Sequence, residues 1–332
     1  MNEESESWRT EMKRNLIIGS LISVVFLYLA LRGTQWDVLW AVLKETRYAY
    51  FIPAIVATML GHYSRAWRWK FMLLPIKRIA TSRLFSATMI GFMANNLLPA
   101  RLGELVRAYV LGRREQISRT ASFATIVYER IVDVFCLLVL LWVMLTKAPG
   151  PEWLRKSAVW LLVLNAILMA AMLVMERYRS TVSRWVGALS RRLRPNLQSK
   201  IQRATDGFLG GLAGMARVET LLPIAATSIL VWCFALLGIH FTLEAIDMHV
   251  PVFASVSLVV LIAMGSMIPS APAYIGTTQY ACIIALGLFG IGKSEALAYS
   301  ILYHATQFFP VTALGFYFLW KAQIRFNEIS KR

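Results

Sequence analysis

The chain has 332 residues, 58% of them hydrophobic and 12% aromatic, with a formal net charge of +17. Several apolar runs reach the roughly 20 helical residues that a bilayer crossing needs, which places the protein in the membrane class before any motif is read. In such a chain the cationic excess marks cytoplasmic loops and attracts anionic lipid, so nucleic acid is set aside as a partner.

The elements follow in chain order. Residues 1–14 are a polar, cytoplasmic N-terminal segment. The apolar run from Leu16 to Leu31 has no A-x-A site after it, so it reads as an uncleaved first span over about 15–32. Further full spans are expected at about 48–66, 120–145, 157–175, 221–245 and 295–320, six in all. Trp36, Trp40, Trp67, Trp69, Trp142, Trp153 and Trp320 fall near span ends, as interfacial belts require. Cys136, Cys233 and Cys282 lie far apart in apolar segments, with neither a disulfide framework nor a metal spacing. No cofactor is expected. The run "GFLGGLAGMA" (207–216) reads as close packing or a flexible loop, since no Lys-Ser/Thr pair follows to complete a phosphate loop.

Two apolar stretches, 84–112 and 253–290, are broken by Pro and Gly near their middles, and charge decides what they are. Residues 65–83 carry six Lys/Arg and no acid; residues 177–217 carry nine Lys/Arg and one acid, Asp206; residues 246–252 carry no Lys or Arg. The positive-inside rule puts the first two segments in the cytoplasm and the third outside. A single span over 84–112 would turn the nine-cation segment outward. A hairpin that enters from the cytoplasm and returns satisfies every loop. At about 1.5 Å per residue its arms reach about 22 and 20 Å, short of the ~30 Å hydrocarbon core. The same arithmetic makes 253–290 a hairpin entering from outside.

The expectation is therefore an all-α, polytopic membrane protein with six full spans, two re-entrant hairpins and both termini cytoplasmic. It forms a single transmembrane domain over 1–332. A first half, 15–175, holds the hairpin 84–112. A basic cytoplasmic loop follows at 176–220. The second half, 221–320, holds the hairpin 253–290, and 321–332 is a cytoplasmic tail. "PARLGELVRAY" (99–109) aligns with "PAYIGTTQYAC" (272–282), and Tyr128-Glu129 with Tyr303-His304. With opposed entry sides, this is an inverted repeat of the kind secondary transporters use to hold substrate between broken helices.

The candidate site residues follow from that frame. Pro99 suits the first turn of a helix, whose unpaired N–H groups and dipole make a positive spot. Arg101 adds a full charge there, a combination suited to phosphate. Gly103 permits close approach, and Glu104 and Arg107 follow Arg101 at three-residue spacing on roughly one helix face. Asn95 and Asn96 stand on the other side of the break. In "YERIVD", Tyr128, Glu129, Arg130 and Asp133 lie near the middle of a span; Glu129 and Asp133 share a face and can position a polar substrate, relay protons or pair with the arginines. In the second hairpin Ser270 and Pro272 mark a half-helix start, Gly276 a hinge, and Tyr274, Thr277, Thr278 and Gln279 supply neutral hydrogen-bonding groups. His304 is a site residue or a core histidine. Arg65, Arg68 and Lys70 are expected to snorkel at the cytoplasmic interface and to collect anionic headgroups there.

"NNLLPARLGELVRAYVL", the "ER..D" after it, "PSAPAYIGT" with "LGLFG", and "SRAWRW" at 64–69 resemble the flippase-like family of the transmembrane domain of lysylphosphatidylglycerol synthases. The resemblance covers about 15–320. It implies lipid translocation through a central cavity where the re-entrant regions meet. On matching positions it points to Arg101, Glu104, Arg107, Glu129, Arg130 and Asp133. Many members have Gly-Gly and an acid where this chain has Ala273-Tyr274 and Gln279, which implies an altered headgroup pocket. No aminoacyl-transferase domain accompanies the segment, so the expected role is to move a lipid made elsewhere.

The resulting expectation is a multi-pass plasma-membrane protein, bacterial or archaeal, that moves an anionic or phosphate-bearing lipid between leaflets. Candidate lipids are a phospholipid, an aminoacyl-phospholipid and a polyprenyl-phosphate carrier; the further partner is a lipid-synthesising enzyme. No GxSxG, HExxH or CxxC pattern occurs, so the chain is not expected to be an enzyme. The alternatives are an accessory scaffold for a lipid, glycolipid or hopanoid enzyme, and an embedded lipid-modifying transferase.

Overall fold

A computed structural model describes residues 18–98, 102–147, 152–215, 217–268 and 270–322; the expected positions Pro99 and Arg101 lie outside them. Among the described residues the chain is helical, with no strand. Helix α1 (Ile18–Leu31) is followed, after a turn at Gly33, by α2 (Trp36–Glu45), which runs at 89° to it. The Lys293 ammonium donates to the Leu29 carbonyl at 2.8 Å, placing a cation on the negative end of α1. Next come α3 (Phe51–Leu73), α4 (Thr81–Leu97), α5 (Gly103–Glu115), α6 (Arg119–Lys147) and α7 (Glu152–Arg177). The segment expected as a basic loop is itself helical, forming α8 (Arg179–Ser190) and α9 (Pro195–Gly211). The chain ends with α10 (Val218–Ala245), α11 (Val252–Met267), a short 3-10 turn (Pro272–Tyr274), α12 (Thr277–Gly287) and α13 (Lys293–Lys321).

Both Pro/Gly-broken stretches are antiparallel helical hairpins. In the first, α4 stops where Leu98 turns extended, as a residue before proline prefers. Asn95 Oδ1 accepts the Gly103 N–H at 2.8 Å, giving the start of α5 a side-chain partner from the opposite arm. A Cβ on Gly103 would sit 2.0 Å from the Gly91 carbonyl, so the arms touch backbone to backbone. At the open end Arg83 meets the buried Glu115 at 3.1 Å. In the second hairpin α11 packs on α12, and Gln279 Oε1 accepts the Gly276 N–H at 2.7 Å. Gly276 has φ +90°, and its Cβ would lie 2.5 Å from the Ser23 carbonyl of α1. The 3-10 turn reaches α4, so the tip of the second hairpin rests on an arm of the first.

The packing repeats itself. The set α3, α4, α5, α6 corresponds in order and form to α10, α11, α12, α13: long helix, broken pair, long helix. Helix α3 packs along α10; α4 packs on α13 as α11 packs on α6. Pairing of Thr58 with Gly238, Gly61 with Phe234 and Arg68 with Ser228 shows that α3 and α10 run antiparallel. Helix α9 lies along α6 through Gly207 and Gly211, whose Cβ positions would fall 2.0 Å from Thr120 Oγ1 and 2.4 Å from the Ala121 carbonyl. Of the two sequence readings of 207–216, close packing is the one observed.

By length and composition two helices qualify as bilayer crossings, Arg155–Arg177 and Val218–Ala245, or three with the bent pair α1–α2. That is fewer than the six that apolar length suggests. Part of the difference has a physical source: α3 carries Arg65, Arg68 and Lys70, and α6 carries Glu129, Arg130 and Asp133, within otherwise apolar helices. All of those charges except Lys70 meet in one buried cluster.

The close approach at Gly103 is testable. Gly103→Ala should cost about 1–3 kcal/mol, the usual range for forced overpacking. Gly210→Ala, whose Cβ meets nothing within 4 Å, should change stability by about 1 kcal/mol or less. Tryptophan-fluorescence melting in detergent reads both, and equal midpoints for the two variants would contradict the backbone contact.

Candidate functional site

Three helices bring seven charged side chains to one place. Helix α3 supplies Arg65 and Arg68, α5 supplies Glu104 and Arg107, and α6 supplies Glu129, Arg130 and Asp133. The one-turn spacing of Glu129 and Asp133 points both carboxylates at α3. Asp133 holds Arg68 Nη2 at 2.8 Å, Arg65 Nη1 at 2.9 Å and Arg130 Nη2 at 3.1 Å. Glu129, with no exposed surface, holds Arg130 at 2.8 Å, Arg107 at 2.9 Å and Arg68 at 3.3 Å. Glu104 lies at 3.7 Å from Arg130. Arg68 also donates to Ser228 Oγ of α10 at 3.1 Å, which ties the second half to the cluster.

Four guanidiniums face three carboxylates, so the described cluster carries one surplus positive charge. Arg107 lies 3.7 Å from the centre of the Trp69 ring, a cation–π contact with a fully buried indole whose Nε1 donates to Thr125 Oγ1. Arg107 Nε and Nη2 are buried and make no hydrogen bond among the described residues. Unspent donors beside a buried cation are the chemistry of an anion site.

The structure joins Glu104, Arg107, Glu129, Arg130 and Asp133, which the sequence singled out, and adds Arg65 and Arg68, which it did not. Both arginines were expected to snorkel, and Trp69 to sit in an interfacial belt. Instead Arg68 and Trp69 have no exposed surface, because α3 continues to Leu73 and faces α6. Two acids one turn apart in an apolar helix call for cations, but residue order does not say which; the packing of α3 on α6 assigns Arg65 and Arg68.

The other predicted residues stand elsewhere. Asn95 serves the hairpin break, and Asn96 donates to Thr312 Oγ1 of α13 at 2.9 Å. Tyr128 is buried in the apolar core around α3, α4 and α6. Thr277 donates to the Tyr274 carbonyl at 3.0 Å and Gln279 accepts from Gly276, so both shape the second break. His304 is half-buried and stacks on Phe308, apart from the cluster. Ala273 and Tyr274 have φ +62° and +57°. That is the left-handed region where glycine is at ease, so Ala273 and Tyr274 hold a conformation that L side chains rarely adopt.

A buried, arginine-rich ion cluster set between a helical hairpin and two long helices defines a helical membrane protein with a polar centre. The profile of the family described as "Lysylphosphatidylglycerol synthase TM region" matches residues 16–315, and the chain belongs to that family. It is similar to the UPF0104 membrane protein MJ1595 of Methanocaldococcus jannaschii, 23% identical over 307 residues, covering 89% of this chain and 91% of that protein. It is also similar to a UPF0104 membrane protein of Methanothermobacter thermautotrophicus, 21% identical with coverage of 82% and 85%. A third similarity is to MJ1078 of Methanocaldococcus jannaschii, 25% identical with coverage of 67% and 90%.

The two carboxylates of unequal burial make a direct comparison. Removing the charge of Glu129 leaves three arginines short of a partner, and Glu129→Gln should cost about 3–5 kcal/mol. Glu104→Gln, at a longer and partly exposed contact, should cost about 1 kcal/mol or less. Melting midpoints in one detergent rank them; a Glu104 variant as unstable as the Glu129 variant would contradict this arrangement.

Proposed function

We propose that this protein moves a phosphate-bearing lipid between the two leaflets of a cell membrane. The observation that carries the proposal is the buried cluster with its surplus positive charge and the unspent donors of Arg107. Charged groups inside a membrane protein are costly, and a purely structural tie would be met by serine or threonine. A cationic centre lowers the cost of bringing a phosphate into a low-dielectric interior, and the carboxylates keep the centre foldable when no phosphate is present.

The proposed membrane arrangement is six full spans and two re-entrant hairpins, with both termini and α8–α9 on the cytoplasmic side of the plasma membrane. Support comes from the distribution of Lys and Arg, the short arms of both hairpins and the antiparallel α3–α10 pair between equivalent halves. Two full crossings, α6 and α7, separate α3 from α10 in this arrangement, and an even number between equivalent helices makes such halves inverted. In this reading Arg101 and Arg107 receive the phosphate, while Glu104, Glu129, Arg130 and Asp133 rebalance charge as it passes. The lipid is a phospholipid, an aminoacyl-phospholipid as the family's description suggests, or a polyprenyl phosphate. The chain performs no covalent chemistry, and an enzyme that makes the lipid is its natural partner.

Reconstitution into liposomes with fluorescent anionic phospholipid tests this. Wild type should make inner-leaflet label accessible to dithionite, and Arg101→Ala should slow that exposure at least tenfold. Equal rates for wild type, Arg101→Ala and empty liposomes would refute transport.

A further inference from the structure

Beyond the ion cluster, α3, α10, α11 and α13 enclose a cavity of about 190 Å³. It lies where the two halves meet, since Gly61 and His62 of α3 and Phe234 and Ala235 of α10 all line it. Its two sides differ in chemistry. Val231, Phe234 and Ile239 of α10 and Val259 and Ile262 of α11 form an apolar wall. Thr58, His62 and Arg65 of α3 and Tyr303 and Gln307 of α13 form a polar one.

Arg65 is the one permanently charged residue in that lining, so the cavity is cationic. Its guanidinium is also a member of the buried cluster, paired with Asp133, but Asp133 is shared with Arg68 and Arg130. One carboxylate divided among three cations leaves Arg65 undercompensated on the cavity side. His62 packs on Phe92 at 4.5 Å between ring centres, and its buried Nδ1 has no hydrogen-bond partner among the described residues. Gln307 Nε2 donates to Thr58 Oγ1 at 2.7 Å, bracing α13 against α3 and setting a carboxamide in the wall. The volume decides what fits. Pockets that engulf a whole drug-sized ligand run to roughly 300–1,000 Å³. This one is smaller, suited to a phosphate and the polar atoms bonded to it, with longer apolar parts left outside.

We infer that this cavity binds the phosphodiester of an anionic lipid, with Arg65 on the phosphate oxygens, His62 and Gln307 hydrogen-bonding around it, and the α10–α11 wall against its first apolar carbons. The inference rests on the reading that the substrate is a phosphate-bearing lipid, and it assigns that lipid a pocket on the α3–α10 side of the cluster. The surplus charge of the cluster is thereby shared by two faces, one at the first hairpin and one at the interface between the halves.

The test uses the full chain in detergent, titrated with dioleoylphosphatidylglycerol and followed by native mass spectrometry. Dioleoylglycerol, glycerol phosphate and inorganic phosphate are the comparison ligands. Wild type should bind phosphatidylglycerol at least tenfold more tightly than any of the three. Ala263→Trp, which fills the cavity without touching a charge, should weaken binding at least tenfold, and Gln307→Leu at least threefold. A photoactivatable phosphatidylglycerol should label peptides containing residues 57–65 or 303–307 of wild type, which decides the matter even if Ala263→Trp does not fold. A folded Ala263→Trp protein with wild-type affinity, or labelling confined to other helices, overturns the pocket. Inorganic phosphate binding as tightly as the lipid, and equally lost in Ala263→Trp, overturns the lipid as occupant. Translocation that survives in Ala263→Trp sinks the pocket and leaves transport standing. Cavity-dependent lipid binding without translocation by wild type does the reverse.

Discussion

Two carboxylates one turn apart on α6 hold this structure together. Glu129 and Asp133 between them engage every guanidinium of the cluster, drawing α3, α5 and α6 to one centre. In a low-dielectric interior each of these charges alone would be prohibitive, and each becomes tolerable only through its partners. The constraint is therefore collective. The first hairpin cannot lift away from α6 without stranding Arg107, and α3 cannot rotate without stranding Arg68. The one surplus positive charge is a property of the whole cluster rather than of any one residue.

Around that centre the backbone comes unusually close. The first hairpin is closed by a glycine against a carbonyl and by an asparagine amide oxygen that reaches across to the opposite arm. The second is closed differently: consecutive residues in the left-handed region, Ala273 and Tyr274, precede Gly276, and α1 packs directly on the turn. In the second break no charge is brought in, and the side chains of Thr277 and Gln279 are spent on the turn itself. The two halves thus share their scaffold but not their chemistry. One hairpin carries charge and the other carries shape, and the tip of the second leans on the arm of the first. A site built from two unlike halves can recognise a charged group on one side and exclude or admit bulk on the other.

The antiparallel pairing of α3 and α10 matters for the same reason. Equivalent helices meet face to face at Gly61 and Phe234, so the interface between the halves carries small residues and a cavity rather than a solid core. The cavity is a local gap in an otherwise extensive contact, since α3 packs along α10 and α4 along α13.

Much of this was legible in residue order. The breaks at Pro99–Gly103 and Pro272–Gly276, the hairpin arms, and the inward role of Glu104, Arg107, Glu129, Arg130 and Asp133 follow from helix periodicity and from the cost of charge in an apolar segment, which are local rules. What residue order could not settle was partnership across the fold. Arg65 and Arg68 sit near a run of cations, and locally that reads as an interface; only the packing of α3 against α6 turns them inward. The segment 176–220 reads as a loop because its charges hide an amphipathic pattern that needs α6 to lie against. Hydrophobicity and charge are properties of single residues and are written in the chain. Burial, pairing and the cavity between the halves belong to pairs of residues far apart in sequence, so tertiary structure alone could decide them.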